Sequence, residues 1–204
     1  MALDWLTNPS ESVDFRRKVD RLRRPSRRNG DVFPMTLDSN TAPAAASHGS
    51  ARSPEERLAA LGLKLPPPPA PVANFVAWRR SGQMLYLSGQ GPLEADGRLH
   101  VGRVGEEVSV EAAYAHARLT GLNLLAVAKA ALGELGRVRS VVKLLAFVNA
   151  APGFAFHPKV INGCSDLFVE VFGDEVGRGA RSAIGAGSLP GHQTVEVEAI
   201  LEVD

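Results

Sequence analysis

The sequence predicts an α+β domain, two helices laid on one face of a β-sheet, and three observations carry that expectation. Short apolar-polar runs open and close the region from Asn74 onward. Two longer stretches between them repeat apolar residues at helical spacing, and glycine or proline turns separate the runs.

Length and composition suit that scale. The chain has 204 residues, 45% of them apolar, enough for one domain of about 100–150 residues plus an appendage. Its apolar runs stop after about eight residues, short of the roughly 18–20 that cross a bilayer, so no membrane span is expected. Cys164 is the single cysteine, which leaves no intrachain disulfide and points to a reducing, cytoplasmic setting. In Cys164 a small core residue is expected rather than a nucleophile. The net charge of +1 conceals an asymmetry, because residues 1–30 carry eight Lys/Arg against four Asp/Glu.

Residues 1–52 are therefore expected to be a disordered, basic, low-complexity extension. Its Arg16-Arg17-Lys18 and Arg23-Arg24 clusters also read as a nucleic-acid patch or a targeting segment, but no apolar stretch follows them as an export signal requires. Met35 is a second candidate start.

Residues 53–72 read as a short helix and a proline-rich spacer. Ser53-Pro54-Glu55-Glu56 has the N-cap, first-turn proline and third-position glutamate of a capping box, and Gly62 ends the helix. Pro66 to Pro69 then impose an extended path along the surface. Residues 73–204 form the main domain. NFVAWRR and QMLYLSGQ are strands joined around Ser81-Gly82, and RLHVGRVG is a third. From Ser109 to about Leu135 a long helix is expected, its stripe Ala112, Ala115, Leu119, Leu122, Ala126 and Ala130. VVKLLAFVNA is a strand and PKVINGCSDLFVEVFG a second helix. Two strands close the chain around Leu189-Pro190-Gly191, giving β-β-β-α-β-α-β-β.

If those last strands pair as a hairpin, Arg181 and Glu196 come close. A guanidinium can grip a planar carboxylate by two parallel hydrogen bonds, and a half-buried carboxyl can take and return a proton. Judged by residue type alone, the same pair is an ordinary cross-strand ion pair, worth about 0.2–1 kcal/mol on an exposed sheet. Among the histidines, His192 is a candidate cleft residue or a solvated loop group. His48, His100, His116 and His157 lack zinc-ligand spacing, so no metal is expected. SGQGP lacks the Lys-Ser/Thr of a phosphate loop.

SGQGPL at Ser88 to Leu93, Asn162 in the second helix and, above all, GARSAIGAGSLPGHQTVEVEAI resemble the RidA (YjgF) family of enamine/imine deaminases, from about Pro71 to Asp204. The resemblance implies a chorismate-mutase-like fold, a homotrimer with sites in clefts between subunits, and no cofactor. It matches Arg181 to the arginine that holds the substrate carboxylate and Glu196 to the acid that positions or activates water. Ser88 and Gly89 fall in the loop lining the cleft, and Asn162 is a further candidate lining residue. Phe75 stands where many members carry a tyrosine, and Ala183 where many carry a cysteine.

The function so implied is hydrolysis of reactive enamines and imines, of the 2-aminoacrylate type, to 2-oxo acids and ammonia. The hydroxyl missing at Phe75 and the thiol missing at Ala183 leave a second reading, a non-catalytic trimer that binds or senses 2-oxo or amino acids. RNA binding or cleavage, an older label in the family, fits less well, because residues 31–204 carry fifteen basic against eighteen acidic residues and lack aromatic-basic interleaving.

Overall fold

The computed structural model describes residues 52–204, so the expectations for the N-terminal tail lie, Arg52 apart, outside the described residues. The elements are α1 (Pro54–Ala60), β1 (Trp78–Ser81), β2 (Met84–Gln90), α2 (Val110–Leu132), β3 (Val138–Asn149), α3 (His157–Phe172), α4 (Asp174–Gly177), β4 (Ala180–Ala186) and β5 (Val195–Val203). They build a five-stranded mixed sheet of order β1-β2-β5-β3-β4.

Strand alternation fixes the two faces. Val195, Val197, Ala199, Leu201 and Val203 of β5 are buried, as are Leu144, Ala146 and Val148 of β3, and α2 and α3 cover this side. The intervening residues, Glu196, Glu198 and Ile200 on β5 and Leu145 and Phe147 on β3, point to the open side.

At α1, Ser53 Oγ accepts from the Glu56 amide at 3.2 Å and Ser53 N–H donates to Glu56 Oε2 at 2.7 Å. Glu55 Oε1 also accepts from the Leu135 amide at 2.8 Å, and Leu58 is buried in the common core. The short helix is thus part of the domain's packing.

Four sequence expectations need correction. RLHVGRVG is not a strand of the sheet: it makes only isolated bridges, Leu99 with Leu93, Val101 with Gln193, and Val104 with Val108 and Ala150. Gly102 and Gly105 adopt φ of +118° and +94°, which break an extended run. The β1–β2 turn falls at Gly82-Gln83, one residue later than expected, with Ser81 paired to Met84.

Helix α2 buries Ala113, Ala117, Leu124, Val127 and Ala128, while Ala112, Ala115 and Ala130 of the expected stripe face solvent. The apolar side is rotated because α2 and α3 approach at Gly121 and Gly163, where a Cβ on Gly163 would overlap the Tyr114 carbonyl. Tyr114 Oη donates to Asp166 at 2.9 Å, and Arg118 bonds Glu170 at 2.6 Å along the same seam.

The fourth correction concerns the closing hairpin. β4 pairs in parallel with β3, and β3 lies between β4 and β5. Residues 187–194 therefore carry the chain across the end of β3 instead of turning tightly. Pro190–His192 form a short 3-10 turn, with Gly191 and His192 at φ of +60° and +57°. Asn149 N–H donates to Thr194 O at 2.9 Å and holds the crossing loop down. His116 Nδ1 meets Thr194 Oγ1 at 3.1 Å and stacks on His100 at 4.2 Å. Burial and then the neighbouring His100 push His116 down to about 4, so near neutral pH its ring is uncharged.

Candidate functional site

Two half-equipped sites occupy opposite sides of the sheet. Arg181 pairs with Leu144, a buried residue, and so points toward the helices. Its Nη1 donates to Asn162 Oδ1 and to Ser165 Oγ, both at 2.9 Å, and Nη2 makes a long contact of 3.4 Å with Pro158 O. Asn162 and Ser165 lie on α3, three residues apart and hence on one face. Among the described residues Nε–H has no partner, which leaves the side-on fork of Nε–H and Nη2–H for an incoming carboxylate. A cavity of about 570 Å³ opens here, lined by Arg181, Asn162, Ser165 and Asp166 among others. Ala183 pairs with Ala146 on the same face, partly buried against the core.

Glu196 pairs with Phe147 and points to the open side. The expectation that Arg181 and Glu196 of one chain look into the same concavity is therefore corrected: β3 separates their strands, and alternation sends them to opposite faces.

Around Glu196 a second group of residues assembles. Gly89 presents a bare Cα to its carboxylate; a Cβ there would overlap Glu196 Oε1. Gln193 Nε2 donates to Oε2 at 2.7 Å. Burial raises the Glu196 carboxyl above the usual glutamate range, the Gln193 bond pulls it back, and Glu198 on the same strand raises it further. Ser88 Oγ donates to Val76 O at 2.7 Å, so this hydroxyl is occupied in tying β2 to the segment before β1.

Beside this group lies an apolar cavity of about 320 Å³ that includes Phe75, Gly89, Leu99, Pro190 and Gln193 in its lining. Phe75 is 46% exposed. Pro69, Ala70, Pro71 and Val72 form one wall, so the proline-rich stretch is more than a spacer. His192 lies outside this cavity, and its carbonyl accepts from the Gly102 amide at 3.0 Å. Cys164 is fully buried, and desolvation pushes its thiol up to about 12, as suits a packing residue. Among the described residues no cluster of three His, Cys, Asp or Glu is placed to hold a metal ion. None of their helices is long and apolar enough to cross a membrane.

Sequence reasoning missed Ser165 and Gln193. Ser165 was legible as the residue three positions after Asn162. Gln193 had a fainter signal in SGQG, whose two glycines stand two residues apart and clear one side of β2 and its exit.

Comparison with known proteins follows the same boundaries. A family model described as YjgF/chorismate mutase-like, with an endoribonuclease label, matches residues 55–198. The Trypanosoma cruzi protein TCP17 is 44% identical over 147 residues, 72% of this chain and 92% of that protein. A Shewanella oneidensis crystal structure, also labelled an endoribonuclease, is 35% identical with a TM-score of 0.72, covering 74% of this chain and 100% of that one. Agrobacterium tumefaciens protein Atu1372 is 44% identical with a TM-score of 0.68, covering 74% and 94%.

Proposed function

Since the chain belongs to the YjgF/chorismate mutase-like (RidA) family, we propose that it hydrolyses reactive enamines and imines of 2-oxo acids without a cofactor, at clefts where the Arg181 side of one copy meets the Glu196 side of the next. The observation that carries this reading is the separation itself. One chain holds a carboxylate fork on one face and a raised carboxyl on the other, and a closed ring of copies brings unlike faces together. A homotrimer is the ring we propose, in the reducing cytoplasm that a single cysteine suggests.

The chemistry balances with these groups alone. A 2-aminoacrylate tautomerises to its imine, whose carboxylate the Nε–H and Nη2–H of Arg181 hold in plane. Water adds to the C=N carbon; the new C–O bond forms as the π pair moves to nitrogen, and Glu196 takes the water proton. That proton passes to the nitrogen and gives a carbinolamine; Glu196 then relays the carbinolamine hydroxyl proton to the same nitrogen, the C=O bond forms as the C–N bond breaks, ammonia leaves and the 2-oxo acid remains. A carboxyl raised by burial suits both transfers better than an exposed one.

Phe75 and Ala183 favour a second reading, a trimer that binds 2-oxo or amino acids without turnover, since neither side chain offers a proton donor or a thiol. RNA is the weaker partner, because its phosphates would meet Glu196, Glu198 and Glu202 along β5.

The test is complementation. Arg181→Ala and Glu196→Gln proteins are each expected to release no ammonia from freshly generated 2-aminoacrylate. Unfolded together and refolded at equal ratio, they regain about a quarter of the wild-type sites, because one interface in four then pairs an intact arginine with an intact glutamate. Mixed assemblies that stay inactive beside an active wild type exclude the shared cleft; a wild type that binds 2-oxo acids but releases no ammonia selects the binding reading.

A further inference from the structure

Gly89 and Gly91 flank Gln90 at the end of β2, and each gives up side-chain volume to a different partner. A Cβ on Gly89 would overlap Glu196 Oε1, and a Cβ on Gly91 would overlap Gln193 Oε1. The slot has a rigid back: Asn123, fully buried on α2, donates through Nδ2 to the carbonyls of Gly91 and Leu93, each at 2.9 Å. Gln193 is only 8% exposed and lies between this slot and Glu196, with its Nε2 at 2.7 Å from Glu196 Oε2. The crossing loop fixes its backbone, since Gln193 N–H donates to Pro190 O at 3.2 Å and the next amide, of Thr194, donates to His100 O at 3.1 Å.

We infer that Gln193, seated in the space Gly91 leaves open, is the positioning residue for Glu196: it ties down Oε2 and leaves Oε1, over the bare Cα of Gly89, as the oxygen that exchanges protons with water. The inference rests on the proposed role of Glu196 and adds the atom through which it acts. An amide suits this place. It donates without carrying a charge, so it holds the carboxylate in one rotamer and favours the ionised form without neutralising it.

The electrostatic surroundings fit. On β5 the charged neighbour is Glu198, which opposes ionisation, as burial does more strongly. β2 offers glycine and the neutral Gln90, and β3 offers Phe147 directly opposite. Lys143, the cation farther along the open side of β3, is turned to Ser182 at 2.8 Å. Among these groups the Gln193 amide is the one stabilising the charged form.

The experiment uses the full chain with carbon-13-labelled glutamate carboxyls and follows the Glu196 signal through a pH titration. Gln193→Met keeps length and bulk but removes the donor, and is expected to raise the proton affinity of Glu196 roughly three- to tenfold. The acid limb of imine hydrolysis should move up in pH by the same factor, with kcat falling more than KM rises. Gly91→Ala should reproduce both shifts with Gln193 chemically intact, because its methyl group evicts the flexible amide end without touching backbone. A Glu196 titration unmoved in both variants overturns the inference, even if the wild type hydrolyses imines. A titration that moves in both upholds the positioning role, even if no imine is turned over and the proposed reaction fails.

Discussion

Glu196 sits under opposed influences, and their balance predicts a trade between stability and activity. Burial raises its carboxyl above the value it has in the unfolded chain, and the Gln193 bond offsets only part of this. The folded state therefore binds the proton more tightly than the unfolded state, so stability declines as pH climbs through this window and the deficit is complete above it. Glu196→Gln removes the charge and keeps an acceptor for Gln193. It should unfold at a higher temperature than the wild type near neutral pH, converge with it below the usual glutamate range, and hydrolyse no imine. Thermal melts at a series of pH values check the sign; a variant no more stable at neutral pH would mean the carboxylate is not strained. In the sequence Arg181 and Glu196 were singled out by the resemblance of their segment to a known family, because by residue type alone they read as an ordinary cross-strand ion pair. Gln193 left only the faint trace of the SGQG glycines, because a loop glutamine acquires its meaning from the glycine opposite it.

The seam between α2 and α3 shows what element-level patterning reads and what it loses. Both helices were legible from their spacing and from Ser109, whose Oγ accepts from the Ala112 amide at 3.1 Å. The facing side of α2 was not, since its alanines are too weakly apolar to fix a phase and the decisive contacts are glycines. At Gly163 the neighbour is the Tyr114 carbonyl, a backbone group that cannot swing aside. Gly163→Ala should therefore destabilise the protein by about 1–3 kcal/mol, although alanine is the better helix former by about 1 kcal/mol. Urea unfolding measures this, and a neutral or stabilising result would mean that the helices separate at little cost. RLHVGRVG failed as a strand for a related reason: its valines have strand propensity, but the glycines between them take up left-handed conformations.

Among the described residues, α2 and α3 cover one side of the sheet while the open side keeps Tyr86 43% and Ile184 47% exposed, flanked by Phe147 and Ile200. A face of this kind fits association with further copies, which the proposed cleft requires. Ile184→Glu should lower the mass in solution from that of the proposed trimer to that of a monomer, keep the circular dichroism of the fold and abolish the proposed imine hydrolysis with Arg181 and Glu196 both present. A monomeric variant that keeps full activity would show that one chain suffices. The sequence by itself determined the composition of the domain, most of its strands, helices α1, α2 and α3 and the cap of α1, and the residue types at both candidate half-sites, because these depend on local spacing and side-chain chemistry. Only the tertiary structure decided that β3 enters between β4 and β5, and so which way Arg181 and Glu196 point. Strand order is set by non-local pairing across the sheet, and a hairpin and a crossover can be written with the same turn residues.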